Sequence, residues 1–242
     1  MTLKILRLVL AAQSLWMTPL ALGSPSQEHL NVILERHVSN YNLGELNFAE
    51  ALLRVSTEFQ IPMGIVWANT PAARARFFFS WKNVTVREVI EAIAKTQQVS
   101  SVEVGNGVVH VLGSVSVPEQ ENFLNLKLKS FEVHNQYCKI AELKLHDLIT
   151  PPAYSGISIG TSEEPTITIG LADTTVRGVL DALALASIHK IWIVTFSDDA
   201  GLTKSGLRRT VSLWSGVAPR DKDQPVWDFL HWGDKLPPGA AR

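Results

Sequence analysis

The chain has 242 residues, 46% of them hydrophobic and 19% charged, with a formal net charge of −1. That balance fits one large globular domain or two small ones and excludes a disordered chain. It gives no basic footprint for nucleic acid, which needs a clustered positive excess.

Residues 1–23 read as a signal peptide. Lys4 and Arg7 supply a positive start, Leu8 to Leu22 is mostly apolar, and Ala21-Leu22-Gly23 offers small residues where a signal peptidase cuts. Gln13, Ser14 and Pro19 interrupt the apolar run and make it a poor membrane span. Cleavage removes two positive charges and no negative ones, leaving 20 basic and 23 acidic residues, a net charge of −3. The expected location is the bacterial periplasm. An exported chain with one cysteine, Cys138, has no internal disulfide framework, so packing must hold it together.

The first unit, residues 24–113, opens with an extended segment around Val38 to Leu46. Asn47 and Glu50 have the spacing of a capping box, and Phe48, Ala51, Leu52, Val55 and Phe59 fall on one helical face. Pro62 stops that helix, and a short strand covers Gly64 to Trp67. Arg74 and Arg76 lie in the loop before a strand in which Phe77, Phe79 and Trp81 alternate onto one face. Thr85 and Glu88 repeat the capping box, and Val86, Val89, Ile90, Ile93 and Ala94 form the next apolar stripe. A hairpin follows, SSVEVG and VVHVLG around Asn106-Gly107, a dipeptide suited to a type I′ turn.

Residues 114–122 are polar and read as a linker. The second unit, 123–198, begins with an alternating strand and a helix from about Cys138 to Ile149, ended by Pro151-Pro152. Ile157 and Ile159 suggest a short strand. Then a segment of the first unit recurs: Phe77 to Ala94 aligns without gaps on Ile167 to Ala184, ninety residues on. In TVREVIEAIA against TVRGVLDALA six of ten residues are identical and three more are Ile/Leu or Glu/Asp exchanges. Gly178 replaces Glu88, so the second helix loses its reciprocal cap. Lys190 to Phe196 is apolar on both faces, as a central strand would be, with no obvious hairpin partner. Residues 199–242 form a tail rich in Trp and Pro.

The first unit resembles the short amino-terminal domain shared by secretins and TonB-dependent signalling receptors. The likeness lies in FAEALLRVSTEFQIPMGIVW and in FFFSWKNVTVREVIEAIAKTQQVSSVEVGNGVVHVLG, about residues 38 to 113. Asn83, Thr85, Val89, Ile90, Ala92, Asn106 and Gly107 match that family's pattern, while Val102 stands where its hairpin often has an aromatic. The repeat extends a degraded likeness over 123–198. The resemblance implies an envelope module that works by protein–protein contact and carries no catalytic residue. Both parent classes also have a membrane pore or barrel, for which 242 residues leave no room.

Seven histidines are scattered without metal-ligand spacing, and P-loop, Rossmann and G-x-S-x-G patterns are absent. His110 and His134, both on predicted strands, could meet in space. Cys138 could act as a nucleophile with His134 or His146, but its apolar neighbours favour a buried structural thiol. No cofactor or metal is implied. The candidate partner-binding residues are Arg87 and Arg177, the one repeated group able to bind a partner's carboxylate, and Trp214, Trp227 and Trp232 of the tail.

The sequence thus predicts an α+β protein of two tandem small domains. Each is a mixed β-sheet packed by two helices in βαββαβ-type order, and the Trp-rich tail follows. The expected function is a non-enzymatic periplasmic interaction or assembly module that pairs with an envelope protein or with itself. A small exported hydrolase or ligand-binding protein, with its site in the cleft between the units near Trp192 and the Trp-bearing tail, is the alternative.

Overall fold

The computed structural model describes residues 27–69, 75–97, 101–113, 123–149, 165–186, 191–198 and 207–212. Residues 1–23, read above as a signal peptide, 114–122, read as a linker, and Ile157, Ile159, Trp214, Trp227 and Trp232 lie outside them. The fold is mixed α+β. In chain order the first unit runs α1 (Gln27–Leu34), β1 (His37–Leu46), α2 (Phe48–Phe59), β2 (Met63–Asn69), β3 (Phe77–Thr85), α3 (Val86–Lys95), β4 (Ser101–Gly105) and β5 (Val108–Leu112). After a single 3-10 turn at Phe123–Asn125 come β6 (Lys127–Gln136), α4 (Cys138–Ile149), β7 (Ile167–Thr175), α5 (Val176–Ala186), β8 (Ile191–Asp198) and β9 (Leu207–Ser212).

The ninety-residue spacing reaches well beyond the segment where identities reveal it. β1 and β6, α2 and α4, and β3 and β7 occupy corresponding ranges, and α3 and α5 start at corresponding residues. Pairing repeats too: Tyr41 faces Trp81 as Phe131 faces Leu171. The Val86 amide donates to the Arg36 carbonyl and the Val176 amide to the Leu126 carbonyl, each at 3.1 Å. Asn83 and Asp173 both turn the chain from strand to helix at positive φ, 50° and 47°. Asn and Asp tolerate that region better than other side chains. Core positions recur where the residues do not: Leu34 and Leu124, Tyr41 and Phe131, Phe48 and Cys138, Phe79 and Ile169 are all buried. Cys138 is therefore the second unit's counterpart of a core phenylalanine, its Sγ 3.8 Å from Glu142 Oε1.

Both predicted capping boxes of the first unit are formed, Asn47 with Glu50 and Thr85 with Glu88. In the second unit Tyr137 and Gly178 stand in place of Asn47 and Glu88, and Thr175 Oγ1 alone caps α5, accepting from the Gly178 amide at 3.1 Å.

The sheets depart from the expectation of one mixed sheet per unit. β1–β3 and β6–β7 are two-stranded antiparallel ribbons, while β4-β5-β2-β8-β9 is a single five-stranded sheet shared by both units. β2 lies parallel to β5 and to β8. β9, inside the segment read as tail, supplies the missing antiparallel partner of β8. The reason is two-sided hydrophobicity. Met63, Ile65, Ile191 and Ile193 enter the core that holds α1, α2 and α3, whereas Val66, Trp192 and Val194 enter the core that holds α4 and α5. Strand side chains alternate between faces, so the two cores lie on opposite faces of the shared sheet.

On the first ribbon, Tyr41 stacks on Trp81 with ring centroids 6.2 Å apart, and its hydroxyl donates to Glu58 Oε2 at 2.9 Å. Burial, then the hydrogen bond and charge of Glu58, push the phenol well above its ordinary value of 10.0. The folded state keeps a proton that the unfolded state loses, so this contribution is intact below about pH 10 and falls away as pH rises further. Urea midpoints measured at pH 8 and pH 11 should show a smaller alkaline loss for Tyr41→Phe than for the wild type. Equal losses would contradict this.

Candidate functional site: a cleft between the two units

One row of residues crosses the shared sheet on the face that packs α5. Glu103 of β4 pairs with His110 of β5, His110 with Gly64 of β2, and Gly64 with Trp192 of β8. Trp192 is fully buried, and its indole lies across Gly64. A β-carbon at Gly64 would fall inside the ring, so the pair behaves as one fitted piece. Asp181 of α5 meets this row from above.

Asp181 Oδ1 accepts from Trp192 Nε1 at 2.9 Å and lies 2.9 Å from His110 Nε2. Indole N–H only donates, so Oδ1 is the acceptor in that bond; facing the same oxygen, Nε2 is the nitrogen that carries hydrogen. The His110 and Asp181 side chains are 8% and 9% exposed. Such a network is costly to leave half made, because each buried polar group needs its partner. It ties β5 of the first unit to α5 and β8 of the second.

Beside the network opens a cleft of about 310 Å³. Glu103, Gly105 and Asn106 line one wall, and Thr175, Arg177 and Gly178 at the start of α5 line the other, with His110 and Asp181 at the back. The alternative reading of the sequence looked for a cleft here. Its chemistry is polar and charged: an acid on β4, a guanidinium on α5, and a buried carboxyl group already engaged by two donors. Thr175, the only hydroxyl residue lining it among the described residues, is occupied as a helix cap. Such a cleft can hold and orient a charged ligand. Among the described residues, no group of three His, Cys, Asp or Glu side chains could hold a metal ion.

The predicted residues fall as follows. Arg177 lines the cleft; its Nε is fully buried and has no hydrogen-bond partner among the described residues. Arg87 is elsewhere, on the first unit, with Nε 2.8 Å from Glu35 Oε1. His110 and His134 do not meet: His110 is committed to Asp181, whereas His134 is 75% exposed with Glu132 at 4.0 Å. The role of Asp181 went unread in the sequence. Its signal is a lone acid in a helix whose one other charged residue is Arg177, VRGVLDALALA, matched by a lone histidine in VVHVL.

Compared with protein-family models, curated proteins and solved structures, the chain matches none. The likeness of the first unit to the secretin and TonB-receptor amino-terminal domain therefore rests on the motif residues themselves.

Two stability measurements test this geometry. Asp181→Leu strands two buried donors and should cost roughly 3 kcal/mol in urea unfolding. On a His110→Leu, Trp192→Phe background the same change should cost under about 1 kcal/mol, because the donors are gone. Equal costs in the two backgrounds would mean the three side chains do not act together. Gly64→Ala forces the indole aside and should cost about 1–3 kcal/mol.

Proposed function

We propose that this chain is a non-enzymatic interaction module exported to the bacterial periplasm, where it assembles with an envelope protein by strand pairing. Its two repeat units, 24–113 and 123–198, form the scaffold, and the tryptophans of the tail add contact surface. The likeness of the first unit to secretin and TonB-receptor amino-terminal domains favours this reading. The observation that carries it is β4. Among the described residues it is an edge strand, paired only with β5, and each of its five residues is half-buried or exposed. An unpaired edge offers a row of backbone donors and acceptors that an extended segment can continue. No described helix is long and apolar enough to cross a membrane.

Glu103 sits at the middle of β4 and is exposed. A two-fold pairing of β4 with a second copy, centred there, would set Glu103 against Glu103, and like charges directly opposed destabilise a strand pair. A different protein, with a neutral or basic residue opposite Glu103, is the favoured partner.

A photo-crosslinking residue placed in cells at Ser101 or Glu103 should yield a discrete adduct with one envelope protein. The same residue at Asp173, an exposed turn on β7, should not. Ser101→Lys with Glu103→Lys, a natural device for blunting edges, should remove the adduct formed from a probe at Asn106. Adducts absent from β4, or equally strong at Asp173, would overturn the reading.

A further inference from the structure

Arg87 and Arg177 hold the same place in the duplicated unit, the second residue of α3 and of α5. The first copy shows how that arginine is ordinarily satisfied. Arg87 Nε pairs with Glu35 Oε1, and Glu88 follows it in the chain. Ninety residues on, both acids are gone: Asn125 replaces Glu35 and Gly178 replaces Glu88. The backbone around the two sites has not diverged. Val86 bonds the carbonyl of residue 36 and Val176 that of residue 126, so residue 125 flanks Arg177 as residue 35 flanks Arg87.

The second unit has thus lost the carboxylate that pairs with this arginine in the first copy while keeping the arginine. Arg177 Nε is buried without a hydrogen-bond partner among the described residues, and its side chain lines the 310 Å³ cleft. Nε itself is closed to solvent, so a ligand in the cleft meets the guanidinium through its terminal nitrogens, where a carboxylate makes charge-assisted hydrogen bonds. The amino-terminal end of α5 adds its own positive potential. Across the cleft, Glu103 accepts only from Ser101 Oγ, at 3.1 Å, which leaves its charge uncompensated among the described residues. Asp181 is already engaged by His110 and Trp192. The two charges free to meet a ligand are therefore one positive and one negative.

We infer that the cleft binds a zwitterion, its carboxylate on Arg177 and its ammonium on Glu103: a free amino acid or a short peptide with open ends. The volume lies at the small end of ordinary ligand clefts, about 300–1,000 Å³, which suits a ligand of one or two residues. This site is argued independently of strand pairing at β4.

Backbone amide NMR titrations of the purified chain test it, with L-alanine, L-alanyl-L-alanine and the N-acetyl and C-amide forms of the dipeptide as probes. Saturable shifts should appear at Glu103, Gly105, Arg177 and Gly178 with alanine or the open dipeptide. The C-amide should bind at least about ten-fold more weakly, the loss of one charge-assisted contact. Arg177→Gln should abolish binding. Glu103→Gln should weaken the open dipeptide but not its N-acetyl form. Asn125→Glu restores the acid of the first unit; it should raise the melting temperature while weakening binding about ten-fold, a combination that misfolding cannot produce. Absence of saturable shifts at these residues with both open probes would overturn the site. So would equal binding of acid and amide, or unchanged binding in Arg177→Gln or Asn125→Glu.

Discussion

Strands β2 and β8 are apolar on both faces, and neither repeat unit can cover both faces of its own strand. Ile65 and Ile193 need α2 and α3 above them, while Val66 and Val194 need α4 and α5 below. Pairing β2 with β8 in parallel meets both needs at once, because each unit then covers the face that the other leaves bare. The remaining architecture follows from this constraint. The hairpin partners β5–β4 and β9 extend the sheet outward on either side, and the β1–β3 and β6–β7 ribbons belong to opposite layers.

Sharing a sheet creates a seam, and the seam has one polar fastening. Trp192 can cross it because position 64 is glycine, and Asp181 then finds two donors from strands of different units at 2.9 Å. Apolar burial sets the general closeness of the layers but is indifferent to register. A carboxyl group that must meet both an indole N–H and an imidazole is not indifferent. A one-residue slip of β8 would turn Trp192 into the opposite core and leave Asp181 with a single donor. The fastening selects among registers that hydrophobicity alone would tolerate.

Local rules made much of the fold legible in the sequence. The stripes of α2 and α3, their capping boxes, the Asn106-Gly107 hairpin and the bounds of α4 all depend on neighbours within a few residues. What stayed hidden depends on distant ones. KIWIVTF reads as a central strand, but nothing in its sequence says that its neighbour is Met63–Asn69 of the other unit. β9 lies in a stretch that turns Gly-, Pro- and charge-rich beyond Asp198, a composition that reads as tail. Over 123–198 the likeness is degraded outside the aligned segment, because Phe48 has become Cys138 and Tyr41 has become Phe131. Burial is conserved between the copies while side-chain identity is not, and identity is what an alignment by eye detects. Arg177 was legible as a candidate; its difference from Arg87 was not, since that lies in residue 125, far from it in sequence.

A duplicated unit carries its own control. Where both copies keep a group with the same bond, as with Thr85 and Thr175, each accepting from the amide three residues on, the group serves the fold. Where one copy keeps the group and loses what satisfies it, folding alone no longer explains its retention. Arg87 has a carboxylate at 2.8 Å; Arg177 keeps the same backbone position with a buried Nε and no such partner among the described residues. A glutamine there would sit in the helix at little cost and would remove a desolvated charge. Around this side chain the helix itself is well kept, and the two acids near Arg87 are the exceptions, replaced by Asn125 and Gly178.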